Sequence, residues 1–307
     1  KDYELIIVND QSEDATEFIV NNYMDKFPQL QYLKIDKKPD EWVGKNYALN
    51  LGQKYSSSEM LLFIDADVRL SEKCLEKSCN LFIDNNINIL SYAAYQECKT
   101  IYEYSLQPII FWVLNLLYPL RDISNAKKSV AACNGIFIMI DRQTYLKIGT
   151  HEAVKSEILE DVELAKKAKK SGAKIVFSFA PELIKVRMYR NFQEIFDGWS
   201  KNIFALCEYS IIKSMLIVLL LLLLFNVPLL LVILGLAKNC IIIFWMIIVI
   251  LYFMYVYHKM GYSAIVALLF PLGSLILPLI IINSIFRYKV KGSVKWKNRL
   301  YKVKKSI

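Results

Sequence analysis

From the N-terminus to about residue 180, short apolar runs alternate with stretches in which apolar positions recur every three or four residues. The runs at 3–8, 30–35, 60–64, 87–95, 131–140 and 174–179 read as strands. The stretches at 13–26, 44–55, 72–84, 141–148 and 161–171 read as helices, with Ser12 placed to cap the first and Gly172 to stop the last. Strands alternating with helices predict an α/β fold with a doubly wound, mostly parallel sheet. The run Met60-Leu61-Leu62-Phe63-Ile64 has the unbroken apolar character of a strand buried on both faces. It ends abruptly in Asp65-Ala66-Asp67.

Two later stretches break the pattern. Residues 101–120 are apolar and aromatic, with Pro108 among them, and predict a helix lying against a membrane. Residues 192–208 place Phe192, Ile195, Phe196, Trp199, Ile203, Phe204 and Cys207 near one stripe, as for a second helix on the membrane surface. The segments 215–236, 241–257 and 263–286 are apolar and near spanning length. Pro271, Gly273 and Pro278 interrupt the third, which fits a re-entrant course. The basic tail 287–307 places that end in the cytosol by the positive-inside rule.

Composition sharpens this picture. The chain of 307 residues is 55% hydrophobic, and its formal charge is +9, with the basic residues beside apolar segments. That balance suits an anionic lipid surface and argues against a nucleic-acid partner. Six cysteines without a C-x-x-C pair exclude a zinc framework and a secreted disulfide scaffold, and read as reduced cytosolic thiols. The chain enters a strand directly from Lys1, which reads as a truncated N-terminus.

The candidate chemistry starts at Asp65 and Asp67. Two acids beyond the carboxyl end of a strand can hold Mg²⁺ or Mn²⁺, which in turn can bridge nucleotide phosphates. Glu160 and Asp161 open a helix, where the dipole favours acids. The series Val8-Asn9-Asp10-Gln11-Ser12-Glu13-Asp14, Trp42-Val43-Gly44-Lys45-Asn46-Tyr47-Ala48-Leu49-Asn50, Asp65-Ala66-Asp67 and Glu160-Asp161 resembles glycosyltransferase family 2, with its GT-A fold. The pieces His151-Glu152-Ala153-Val154, Arg187-Met188-Tyr189-Arg190, Gly198-Trp199-Ser200-Lys201-Asn202 and Trp296-Lys297-Asn298-Arg299-Leu300-Tyr301 resemble the membrane-bound branch acting on carotenoid or hopanoid-type lipids.

The resemblance implies a GT-A catalytic domain over 1–190, an interfacial helix over 191–212, membrane helices over 213–286 and a cytosolic tail over 287–307. It implies transfer of a sugar from a nucleotide diphosphate sugar, a UDP-sugar by expectation, to a lipid hydroxyl, with inversion and at the cytosolic face of the cell membrane. Asp161 would be the base and Glu160 its partner. Asp10, Lys45, Asp65, Arg187 and Arg190 would bind the nucleotide sugar. Asn134, Gly135 and Trp199 would meet the acceptor. Asp67 and Asp65 would hold the metal. Two departures stand out: the family's opening strand with its Pro-x-Asn-Glu stretch is absent, and so is the Gln-x-x-Arg-Trp of processive synthases. Two alternatives stay open, transfer to a polyprenyl phosphate and a non-catalytic scaffold that keeps a nucleotide pocket.

Overall fold

The computed structural model describes residues 3–236, 240–296 and 299–302, the last two strands by their backbone alone. In chain order the elements are β1 (Leu5–Asn9), α1 (Thr16–Met24), β2 (Leu30–Lys34), α2 (Gly44–Lys54), β3 (Met60–Ile64), β4 (Val68–Leu70) and α3 (Cys74–Asp84). Then come β5 (Ile89–Ala93), β6 (Tyr95–Gln96), α4 (Ile101–Leu117), α5 (Leu120–Ile123), β7 (Phe137–Asp141), α6 (Arg142–Lys147) and α7 (Glu160–Lys170). The last third holds β8 (Ile175–Phe179), β9 (Ile184–Val186), α8 (Phe192–Leu206), α9 (Ile211–Leu221), α10 (Val227–Ile233), α11 (Cys240–Lys259) and α12 (Phe270–Phe286). A closing antiparallel pair joins Ser293–Trp296 to Arg299–Lys302.

The chain divides into two compact units. The first is Lys1–Ala66, Glu72–Ala93 and Leu120–Phe179. It is an α/β unit: β1 and β2 pair in parallel, and a four-stranded sheet runs β3-β7-β5-β8. Strands β5 and β8 are parallel, whereas β7 runs antiparallel to β3 and β5. The inner strands β5 and β7 are buried on both faces. β3 is not: only Leu61 and Phe63 are buried, and Ile64 is 38% exposed, because β3 lies at the edge of the hydrogen-bonded order. The predicted strand at 131–140 contracts to β7, leaving 131–136 as a loop tied down by the Asn134 amide donating to Ser91 Oγ at 2.8 Å. Ser12 does not cap α1. Its amide donates to Asn9 Oδ1 at 2.8 Å in an Asx turn, and the helix starts at Thr16.

The second unit is Asp67–Ser71, Ala94–Pro119 and Ala180–Ile307. It carries a small sheet, β4-β9-β6, and a bundle in which Leu106, Ile109, Ile110, Ile195, Trp199, Ile203, Leu277 and Ile280 share one core. Both helices predicted to lie on a membrane are therefore core elements. The apolar stripe of α8 is covered by protein, and α4 buries Leu106 through Ile110 completely or nearly so. A capping box starts α4: Thr100 Oγ1 accepts from the Glu103 amide, and Glu103 returns the bond to the Thr100 amide.

Three helices, Ile211–Ile233, Cys240–Lys259 and Ala264–Lys291, are long and apolar enough to cross a membrane. The third is helical throughout, a 3-10 stretch Ala264–Leu269 leading into α12. Pro271 falls in the first turn of α12, and Pro278 is accommodated inside that helix. Gly273 leaves no room for a Cβ against the Ser105 carbonyl, so α12 and α4 meet backbone to backbone. Lys297, Asn298 and residues 303–307, parts of the 296–301 motif and of the basic tail, lie outside the described residues.

Candidate active site

Antiparallel pairing of β3 with β7 sets Ile64 opposite Phe137, so the residue after β3, Asp65, falls at the same end as the Asn134-Gly135 loop before β7. Lys45 comes from the first turn of α2 and Glu160 and Asp161 from the first turn of α7. Lys45 Nζ lies 2.8 Å from Asp65 Oδ1 and 2.8 Å from Glu160 Oε1. The Gly135 amide donates to Asp161 Oδ2 at 2.8 Å, and Asp161 Oδ1 accepts from the Val162 amide at 2.8 Å. A Cβ on Gly135 would stand 2.6 Å from Lys45 Nζ and 3.3 Å from both acid side chains. Only glycine lets these three groups close around that point.

The loop that carries the acid pair is fastened to the helix that carries the lysine. Fully buried Asn46 donates its side-chain amide to the carbonyls of Val154 and Glu157, each at 2.9 Å, and the Val43 amide donates to the Lys155 carbonyl at 2.8 Å. Residues about a hundred positions apart are thus locked in register. An ammonium in the first turn of a helix is unfavourable by the dipole alone, so Lys45 stays there by virtue of its two carboxylate partners.

Three carboxylates share one ammonium, and the protonation follows. Burial works against the charge on Lys45, but Glu160, Asp65 and Asp161 outweigh it and hold the amine above its ordinary range. Burial would also raise Glu160, whose Oε1 is paired with Lys45; the lysine prevails and keeps that carboxyl below its usual range. Asp161 is pushed up to about 6, first by burial and then by the charge of Glu160, against the pull of Lys45 and the two backbone amides. A carboxylate with raised proton affinity, next to one held ionised, is what a base acting near neutral pH requires.

Residues 1–149 match the family described as Glycosyl transferase family 2. The match covers just under half of the chain. The chain is 25% identical over 203 residues to a 4,4'-diaponeurosporenoate glycosyltransferase of Staphylococcus haemolyticus, covering 65% of this chain and 53% of the relative. It is 23% identical over 315 residues to the protein of that name from Staphylococcus aureus, covering 98% of this chain and 81% of the relative. The chain thus spans about half the length of the first of these relatives. Among solved structures, a mannosyltransferase from Pyrobaculum calidifontis in complex with GDP-Man and Mn²⁺ aligns with a TM-score of 0.49 at 16% identity, over 68% of this chain and 55% of that one. Staphylococcus aureus TarS aligns with a TM-score of 0.41 at 15% identity, over 66% and 33%.

Within the first unit the structure groups Lys45, Asp65, Gly135, Glu160 and Asp161, the last two beyond the residues that match the family. Asn134 sits beside this group, with its amide held by Ser91. Asp10 follows β1 directly and is partly buried. The remaining predicted residues belong to the second unit. Asp67 is exposed there, and its charge raises the affinity of the buried Tyr189 hydroxyl for its proton, after burial itself. Arg187 is engaged: Nε and Nη2 donate to Glu103 at 2.8 and 3.2 Å, an internal ion pair where a nucleotide contact was expected. Trp199 is 3% exposed and donates its indole N–H to Gln107 Oε1 at 3.0 Å, so it neither faces lipid nor lines an open surface of that unit. Arg190 is exposed.

The expected metal donors fall in different units, Asp65 in the first and Asp67 in the second. Each is a hard oxygen donor of the type Mg²⁺ or Mn²⁺ takes, Asp65 about a third exposed and Asp67 exposed. Among the described residues no three His, Cys, Asp or Glu side chains are arranged to hold a metal ion. Two features lay outside sequence reasoning: the Asn46 clamp, and the burial of His151 against Tyr145. Nothing in a single asparagine signals three distant carbonyls.

Proposed function

We propose that this chain transfers one sugar from a nucleotide diphosphate sugar to an apolar lipid acceptor at the membrane, with inversion and without chain growth. The observation that carries the reading is the grouping of Lys45, Asp65, Glu160 and Asp161 from separate segments of the first unit, whose residues up to 149 match the glycosyltransferase family, in a chain with three helices long and apolar enough to cross a bilayer. In this reading Asp161 receives the acceptor proton, and Gly135 holds the carboxylate for it. Glu160 raises the basicity of Asp161 and anchors Lys45, whose ammonium lies where donor phosphate charge would compete for it. Asp10 would meet the base of the nucleotide, and Asp67 with Asp65 would hold the divalent cation. When bound there, such a cation stabilises the charge that develops on the departing diphosphate. The cytosolic face of the cell membrane is the compartment this reading assigns.

A second reading concerns the acceptor. The relatives are named for diaponeurosporenoate, a carboxylate. A carboxylate or a polyprenyl phosphate arrives already ionised and asks for no base. Replacing Asp161 by Asn separates the two: a hydroxyl acceptor loses most of its rate, and an ionised acceptor little. The test of the whole proposal is expression of the chain with a panel of nucleotide sugars and apolar alcohols and acids, then lipid extraction and mass spectrometry. One lipid class should gain the mass of a single sugar. Nucleotide binding with no mass gain on any lipid would favour the scaffold instead.

A further inference from the structure

The helix that presents Lys45 turns an unusual face to the interior. The buried side chains of α2 are all amides, Asn46, Asn50 and Gln53, while Tyr47, Leu49 and Leu51 are only partly covered. A helix of a globular unit normally buries an apolar stripe. Here the buried face grips the chain that leads into α7. Asn46 Nδ2 donates to the carbonyls of Val154 and Glu157, each at 2.9 Å, and reaches that of Lys155 at 3.3 Å. One turn on, Asn50 Oδ1 accepts from Thr150 Oγ1 at 3.2 Å.

Stability alone does not account for this seam. Asn46 Oδ1 is buried and has no hydrogen-bond partner among the described residues, which costs free energy. Thr150, β-branched, holds φ at +59°, a second cost in the same stretch. Costs of this kind gather where geometry serves a reaction. What the seam holds is the spacing of the candidate site. Asn46 directly follows Lys45, and Glu157 stands shortly before Glu160 and Asp161. On the far side of the group the Gly135 amide donates to Asp161 Oδ2 at 2.8 Å, and a Cβ on Gly135 would stand 2.6 Å from Lys45 Nζ. The group has no slack, and a shift of about 1 Å at a reacting centre can cost about a hundredfold in rate.

We propose that Asn46 is a positioning residue: by holding the 154–157 backbone, its side-chain amide fixes the distance between Lys45 and the pair Glu160 and Asp161. The effect on rate rests on the transfer reading of the same site. An apolar residue of the same size would fill the space but hold none of the carbonyls.

The test uses the whole chain in lipid nanodiscs, and one arm needs no activity. Asn46→Ser keeps a small polar side chain that can serve one carbonyl at most. Amide hydrogen exchange, read residue by residue after fragmentation, should quicken about tenfold at Gly135 while the β7 amides keep their wild-type rates. In the activity arm, kcat per folded molecule should fall about tenfold. In a Lys45→Met background the same substitution should cost about threefold at most, because the spacing then has no lysine to serve. Should Asn46→Ser not fold, Thr150→Val takes its place. It removes only the bond to Asn50 and keeps the side chain's shape, and about a threefold change is expected in each arm. Gly135 exchange equal to wild type in the folded variant, or an equal loss of rate in both backgrounds, overturns the proposal. A wild type that transfers no sugar overturns the transfer reading alone, because the exchange arm still decides the positioning.

Discussion

Each unit of this chain holds an acid away from water beside a basic partner, and the two arrangements behave in opposite ways. In the second unit Glu103 is 1% exposed, yet every demand on it is met: two nitrogens of Arg187 and the amides of Lys99 and Thr100 donate to it. Burial would raise its pKa, but Arg187 and those amides prevail and hold it below the usual carboxylate range. In the first unit three carboxylates compete for the ammonium of Lys45, and Asp161 is left with raised proton affinity. A fully matched charge serves the fold. A deliberately unmatched one is available for chemistry.

The comparison can be broken most sharply at Asp161. Asp161→Asn should reduce the transfer rate by about 10²–10⁴-fold with a hydroxyl acceptor, the range typical of a lost general base, as measured by product mass per unit enzyme. It should not destabilise the fold at neutral pH, and a gain of about 1 kcal/mol is expected because a half-buried charge beside that of Glu160 disappears. Lys45→Met comes next: Asp65 and Glu160 are then left without their shared cation, and the rate should fall about 10²-fold. The wild-type rate should also fall as pH drops through about 6, where Asp161 takes up its proton.

Glu103→Gln probes the other side. Its melting temperature should fall by about 5 °C, since one amide oxygen cannot replace a carboxylate that accepts four bonds, while turnover per folded molecule changes little. Acid should separate the two sites as well. Glu103, with its pKa lowered on folding, contributes stability above its unfolded value that is lost as pH falls through the lower folded one. Asp161, with its pKa raised, contributes stability below its unfolded value that is lost as pH rises through about 6. Thermal melts of Asp161→Asn and Glu103→Gln across acid pH should therefore lose opposite arms of the wild-type curve. The smallest effect is expected at Gly135→Ala, about tenfold in rate with little loss of stability, because the atom a methyl would meet first, Lys45 Nζ, ends a flexible side chain.

Asp65, Glu160 and Asp161 stood out only through the family resemblance, while periodicity and punctuation carried the α/β class, most element positions and three segments long and apolar enough to cross a membrane. These are local: a strand, a helix start and an apolar span each announce themselves within a dozen residues. What they could not carry is partnership. An amphipathic stripe such as that of α8 has the same pattern whether lipid or protein covers it, and α4 and α12 decide for protein. Arg187 looks like a phosphate ligand until Glu103, 84 positions away, is found in its grasp. The antiparallel course of β7 leaves no trace in a strand buried on both faces, yet that course puts the Gly135 loop at the Asp65 end of β3, where Gly135 meets Lys45, Glu160 and Asp161. The sequence by itself determined which chemical groups the chain possesses and which local shapes it adopts. Only the tertiary structure decided which of those charges would be matched and which left in excess, because that depends on distances between segments that no local pattern encodes.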